Sequence, residues 1–93
     1  MEELVPSEFY LSQNYPNPLK EKTVIKYCLP DKSLVKLTVL YPDKTIMKEL
    51  VNKVKEAGTY EVEFDASSLT SGIYFYRLQA GEYIETKKMV LMK

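Results

Sequence analysis

Apolar residues recur at every second position in stretch after stretch of this chain, while helical spacing is weak. Side chains on an extended strand alternate between two faces, so this pattern restricts the fold to sheets. In Thr23–Leu29, Ile25, Tyr27 and Leu29 share one face and Val24, Lys26 and Cys28 the other, until Pro30 ends the run. Val35, Leu37 and Val39 alternate with Lys36 and Thr38. Tyr60, Val62 and Phe64 alternate with Glu61, Glu63 and Asp65, as in a strand with one dry and one wet face. Ile73–Ala80 is apolar on both faces and is expected at the centre of a sheet. Tyr83–Met92 is expected as the last strand, with Met89 and Leu91 on one face.

Turn chemistry separates these segments. Tyr41-Pro42-Asp43-Lys44 places proline at the second turn position, and Thr45–Val51 is expected to return as the partner strand. Lys53–Ala57 is polar and closes at Gly58. Ala80-Gly81-Glu82-Tyr83 reads as a two-residue hairpin with Gly81 at positive φ. Phe9–Pro18 holds two prolines that cannot donate to a ladder, which predicts an extended arm with a short edge strand at Phe9–Leu11. Short strands at regular spacing indicate an all-β fold, an antiparallel immunoglobulin-like β-sandwich of about seven strands. The tryptophan and cysteine pair of antibody domains are missing, so that likeness is architectural.

Ninety-three residues make one domain. Residues 1–8 read as a linker remnant and residues 9–93 as a β-sandwich domain. Thirteen Lys and Arg balance thirteen Asp and Glu, which gives no electrostatic reason to bind nucleic acid or an anionic membrane. Low net charge together with edge strands favours weak self-association. No apolar run approaches the roughly 20 residues needed to span a bilayer. Met1-Glu2-Glu3-Leu4-Val5 is acidic and short, so it does not read as a signal peptide; if the domain is exported, its signal peptide is expected on a larger parent.

Catalytic chemistry finds little support. The chain has no histidine, and Cys28, Ser12, Ser67, Ser68 and Ser71 therefore lack the usual base. Gly58, Gly72 and Gly81 are too far apart to cradle a phosphate. Glu61, Glu63 and Asp65 share a strand face, and three carboxylates can hold calcium. Calcium loops normally turn through a glycine, however, and cross-strand pairing to lysines or Arg77 explains the row more simply. The expectation is no catalytic residue, no metal and no cofactor.

Three segments carry both a structural and a functional reading. In Phe64–Leu78, Leu69 plugs the end of the core, Gly72 supplies a backbone shape, and Tyr74 forms a tyrosine corner bonded to backbone near Ser68–Thr70; alternatively this segment contacts a partner. Asn14, Tyr15, Pro16, Asn17 and Pro18 form an arm along a sheet edge, with asparagines bonding local backbone, or a recognition element. Lys87–Lys93 is a final edge strand guarded by lysines, or an edge docked by strand addition. Its removal is expected to leave most of the core intact. Tyr74, Tyr76 and Tyr83 raise a further alternative, an exposed strip that stacks on sugars in a carbohydrate-binding or adhesive accessory module.

The order and spacing of several stretches resemble the C-terminal sorting domain of the type IX secretion system of Bacteroidetes-like bacteria. They are Leu11–Pro18, Thr23–Tyr27 with Leu29-Pro30, Leu50-Val51-Asn52, Ala57-Gly58 with Tyr60, Phe64–Leu78 and Thr86-Lys87-Lys88-Met89. The resemblance implies a non-catalytic signal that directs a larger cargo protein through the periplasm and across the outer membrane, to the cell surface or medium. Its implied partners are the outer-membrane translocon, a surface sortase-like peptidase and the parent cargo upstream. Gly72 and Tyr74 match the family's glycine–x–tyrosine motif. Lys87, Lys88, Met89, Leu91 and Lys93 fall in its terminal lysine-containing motif, and the two sets are the implied recognition residues. The chain departs from the family at Asn17-Pro18-Leu19-Lys20-Glu21, where Asn-Pro-Phe-Asn-Pro is usual. It departs again at Leu40-Tyr41 and Lys44, where the family's second strand ends in Tyr-Asp and turns through a glycine.

Overall fold

Seven strands arise from the alternating segments: β1 (Tyr10–Leu11), β2 (Lys22–Leu29), β3 (Ser33–Leu40), β4 (Ile46–Lys55), β5 (Gly58–Asp65), β6 (Gly72–Ala80) and β7 (Tyr83–Leu91). A computed structural model describes residues 6–93. The linker reading of residues 1–8 falls largely on residues 1–5, outside the described residues. The strands form two antiparallel sheets, ordered β1-β2-β5 and β4-β3-β6-β7. This is an all-β, immunoglobulin-like sandwich. β6 is central in the larger sheet, as its two-sided apolar pattern requires.

The inward faces follow the alternation. Ile25, Tyr27 and Leu29 from β2 meet Val35, Leu37 and Val39 from β3, and Tyr76 and Leu78 from β6, all fully buried. Each such side chain contributes about 1.5–3 kcal/mol by leaving water. The chain changes sheets at one end through residues 30–32 and 56–57, where Lys32 and Glu56 lie 3.7 Å apart. It changes sheets again at the other end through residues 66–71.

The outward carboxylates of β5 pair across to β2, with Glu61 at 3.8 Å from Lys26 and Glu63 at 3.9 Å from Lys22. Cross-strand pairing thus accounts for the acidic row. Arg77 takes no part, since it lies in the other sheet and donates to the Thr86 hydroxyl at 3.2 Å.

β4 runs on to Lys55, beyond the Val51 expected from the sequence. Lys53 and Lys55 pair with Val35 and Ser33, so the polar stretch before Gly58 is mostly strand. β4 is a sheet edge, where polar side chains remain wet without breaking the ladder. Two register shifts against β3 erase its alternation.

At the Tyr41–Thr45 turn, the Lys44 N–H donates to the Tyr41 carbonyl at 2.8 Å. Lys44 takes φ 69°, the left-handed conformation for which glycine is usual. Its ammonium sits 5.1 Å from the centre of the Phe75 ring, and Asp43 braces the turn by accepting from Thr45 N–H at 2.9 Å. Side-chain contacts here offset the missing glycine. The β6–β7 hairpin turns through Gly81 at φ 60°.

Candidate functional site

Three segments far apart in sequence converge at one end of the sandwich. On the β6–β7 ladder, Gly72 pairs with Leu91 and Tyr74 with Met89. Lys93 then ties the chain end to the 66–71 crossover: its N–H donates to Ser71 Oγ at 3.0 Å and its ammonium to the Ser67 carbonyl at 2.5 Å. The Tyr74 hydroxyl donates to the Thr70 carbonyl at 2.7 Å, which is the expected tyrosine corner. Gly72 takes φ 158°, a backbone conformation that L side chains rarely adopt, while an added Cβ would touch only the Tyr74 ring, at 3.9 Å. Backbone shape, as expected from the sequence, and not crowding dictates this glycine.

The third segment is the N-terminal arm. It first follows the open edge of β2. Beyond β1, Ser12 N–H donates to the Lys26 carbonyl at 2.8 Å, and Tyr15 and Val24 exchange backbone bonds at 2.9 and 2.8 Å. The arm then leaves this sheet through the cis peptides Tyr15-Pro16 and Asn17-Pro18. It reaches the other sheet at Leu19, which is fully buried and bridges in parallel to Leu91. Leu19 N–H donates to the Val90 carbonyl and Met92 N–H to the Leu19 carbonyl, both at 2.9 Å. Asn17 accepts from Val90 N–H at 3.1 Å, and Gln13 donates to the Lys88 carbonyl at 2.7 Å. The arm is a strap across one open side of the sandwich.

Buried polar groups hold the strap. The Tyr76 hydroxyl donates to the Ser12 carbonyl at 2.6 Å and accepts from Asn14 N–H at 2.8 Å. The buried Asn14 amide donates to the Pro16 carbonyl at 3.1 Å and to the Thr23 hydroxyl at 3.0 Å. Tyr15 points the other way and is 79% exposed. It borders an open groove of about 580 Å³ on the outer face of the smaller sheet, with Tyr10 on the same groove and Val24 and Lys26 among its walls. Of the arm residues singled out in the sequence, Asn14 is thus internal and Tyr15 is displayed.

The terminal strand divides in the same way. Met89 and Leu91 are 1% exposed and belong to the core. Lys88 and Lys93 are exposed. Lys87 is half-buried, with its ammonium 3.4 Å from Glu85. Glu85 also accepts a hydrogen bond from the Tyr83 hydroxyl, and that bond, followed by Lys87, holds its carboxyl below the ordinary range. Burial, with Glu85 beside it, pushes the Tyr83 hydroxyl up to about 12.

Three expectations are corrected here. The edge of β7 is not free along its length for strand addition, because the arm bonds it from Lys88 to Met92. Removal of Lys87–Lys93 does not spare the core, because it takes away Met89 and Leu91. The tyrosines do not form a sugar-stacking strip: Tyr74 and Tyr76 are buried, and Tyr83 stacks on Phe9 with ring centres 5.0 Å apart.

Sequence reasoning missed Leu19, Gln13 and the anchoring role of Tyr76. Tyr76 left one usable signal, since an inward-facing tyrosine on a central strand needs a partner for its hydroxyl.

At Tyr74 one neutral hydrogen bond is at stake. Tyr74→Phe is expected to lower stability by about 1 kcal/mol, read as a shift in urea midpoint at constant slope. An unchanged midpoint would remove the corner from the account.

A family model described as "secretion system C-terminal sorting domain" matches residues 13–92. No curated protein and no solved structure matches the chain.

Proposed function

The chain belongs to the type IX secretion C-terminal sorting domains, and from that premise we propose that it carries a larger cargo protein across the outer membrane by displaying its closing strand to the export machinery. Membership in this family implies export to the cell surface or the extracellular space, and a signal rather than a catalyst. One observation supports the finer reading most. The glycine–x–tyrosine segment, the terminal lysines and the proline arm, which lie up to 75 residues apart, are bonded to one another in the fold.

Within that arrangement the residues take different parts. Gly72, Tyr74, Met89, Leu91 and Asn14 shape and hold the surface. Lys87, Lys88 and Lys93 present charge on it, and Tyr15 presents an aromatic ring. Pro16, Asn17 and Pro18 carry the arm from one sheet edge to the other. The translocon is the proposed reader, and a surface sortase-like peptidase the proposed processor, cutting between cargo and domain.

The test is a reporter fused between a signal peptide and this domain, in a host that has the system. The reporter should reach the cell surface or medium. A Lys88→Ala/Lys93→Ala double variant should fall to less than about a tenth of parental export while melting within a few degrees of the parent, because exposed charges contribute little to folding. Periplasmic retention of the parental fusion, or full export of the double variant, would overturn the reading.

A further inference from the structure

The arm covers β7 only from Lys88 onward. Groups on Lys88, Val90 and Met92 point away from β6 and bond Gln13, Asn17 or Leu19. By strand alternation, the N–H and C=O of Ile84 and Thr86 and the N–H of Lys88 point the same way. Among the described residues they have no backbone partner. The open edge is therefore Ile84-Glu85-Thr86-Lys87-Lys88, five residues centred on Thr86.

That segment is complementary to itself when reversed. An antiparallel copy centred on Thr86 sets Thr86 against Thr86, Glu85 against Lys87, and Ile84 against Lys88. Opposite charges and paired threonines are favourable cross-strand neighbours, and no like charges meet. Thr86 would exchange two N–H···O bonds with its counterpart, and each Lys88 N–H would donate to the opposing Ile84 carbonyl, the Lys88 carbonyl being held already by Gln13. The fit also ends where it must. The second copy's strand turns back at Gly81-Glu82, opposite Val90 and Leu91, where Leu19 already occupies the edge.

We propose that the open edge of β7 is a self-recognition surface, on which two copies of this chain join their larger sheets into one continuous sheet through Ile84–Lys88. Zero net charge leaves no global repulsion to oppose this. Glu85 and Lys87 sit on the inward face of an edge strand, where charges deter strands that do not match them, so the same pair selects for its own sequence. The contact is small, and the dimer is expected to be weak, with Kd on the order of 0.1–1 mM.

Sedimentation velocity of the 93-residue chain, from about 10 μM to about 2 mM, tests this, with folding of each variant checked by circular dichroism. The parent should shift from monomer toward dimer across that range. Glu85→Lys alone and Lys87→Glu alone should each remain monomeric, because like charges then face each other. Mixing the two variants should restore the dimer, as every pair is again opposite. In a Cys28→Ser background, Thr86→Cys should form an intermolecular disulfide under oxidation, which keeps the test valid if a charge variant misfolds. A parent monomeric throughout, a dimer that survives both single variants, a mixture that stays monomeric, or a Thr86→Cys chain that does not cross-link would overturn the proposal.

Discussion

A chain that stops at Thr86 is expected not to fold. The seven residues removed include Met89 and Leu91, both 1% exposed and packed in the core. Truncation of one such side chain to alanine typically costs 2–5 kcal/mol, and here both vanish with their backbone. β6 loses its outer ladder partner from Gly72 to Tyr76, and the arm loses every bond it makes to β7. The losses together rival the roughly 5–15 kcal/mol that holds a whole domain. Thermal melting followed by near-ultraviolet circular dichroism should show no cooperative transition. A cooperative melt within a few degrees of the full chain would mean that β7 is dispensable to the fold. Loss of export on deleting the last seven residues therefore carries no information about recognition. Point variants at the exposed lysines separate the two.

Where a strand buries one face, the sequence pattern was a faithful guide. Tyr60, Val62 and Phe64 point inward because their neighbours are charged, and Lys22 and Lys26 meet those charges from β2. The tyrosine corner was legible for a similar reason, since donor and acceptor lie four residues apart. The hidden features are those whose determinants lie far away. Asn14 and Tyr76 are 62 residues apart, and Gln13 and Lys88 are 75, so no local periodicity records either bond. The end of β4, Asn52–Lys55, escapes the sequence pattern because an edge strand tolerates polar side chains, and the bulges nearer its start blur which face is which. Leu40 shows another limit. It pairs with Ile46 and Phe75, outside the main core cluster, yet it is fully buried. Alternation assigns a face but says nothing of how thickly that face is covered. The candidate site was half legible: its motifs were found, but Met89, Leu91 and Asn14 are structural parts of it rather than displayed ones.

Tyr76→Phe should cost stability and Tyr27→Phe should not, although each removes one oxygen from a fully buried ring. Burial pushes both hydroxyls up to about 12, so both are neutral phenols at ordinary pH and differ only in their partners. The Tyr76 hydroxyl bonds the Ser12 carbonyl and the Asn14 N–H, and its loss strands two backbone groups between the arm and β6. Leaving buried groups unpaired costs about 1–3 kcal/mol each, less whatever water regains, so Tyr76→Phe should lose about 2–4 kcal/mol. For a domain of this size that lowers Tm by roughly 10–20 °C. The Tyr27 hydroxyl has no hydrogen-bond partner among the described residues, and its ring stacks on Tyr60 with centres 5.3 Å apart. Tyr27→Phe keeps the ring and removes an unsatisfied oxygen, so it should leave Tm unchanged or raise it by up to about 5 °C. A second measurement links the larger effect to the strap. With Tyr76→Phe, residues 12–19 should become susceptible to limited proteolysis under conditions where the strands still resist. Equal Tm losses in the two variants, or an arm that stays protected in Tyr76→Phe, would mean that packing of Leu19 alone fastens the strap and that the buried hydroxyl is incidental to it.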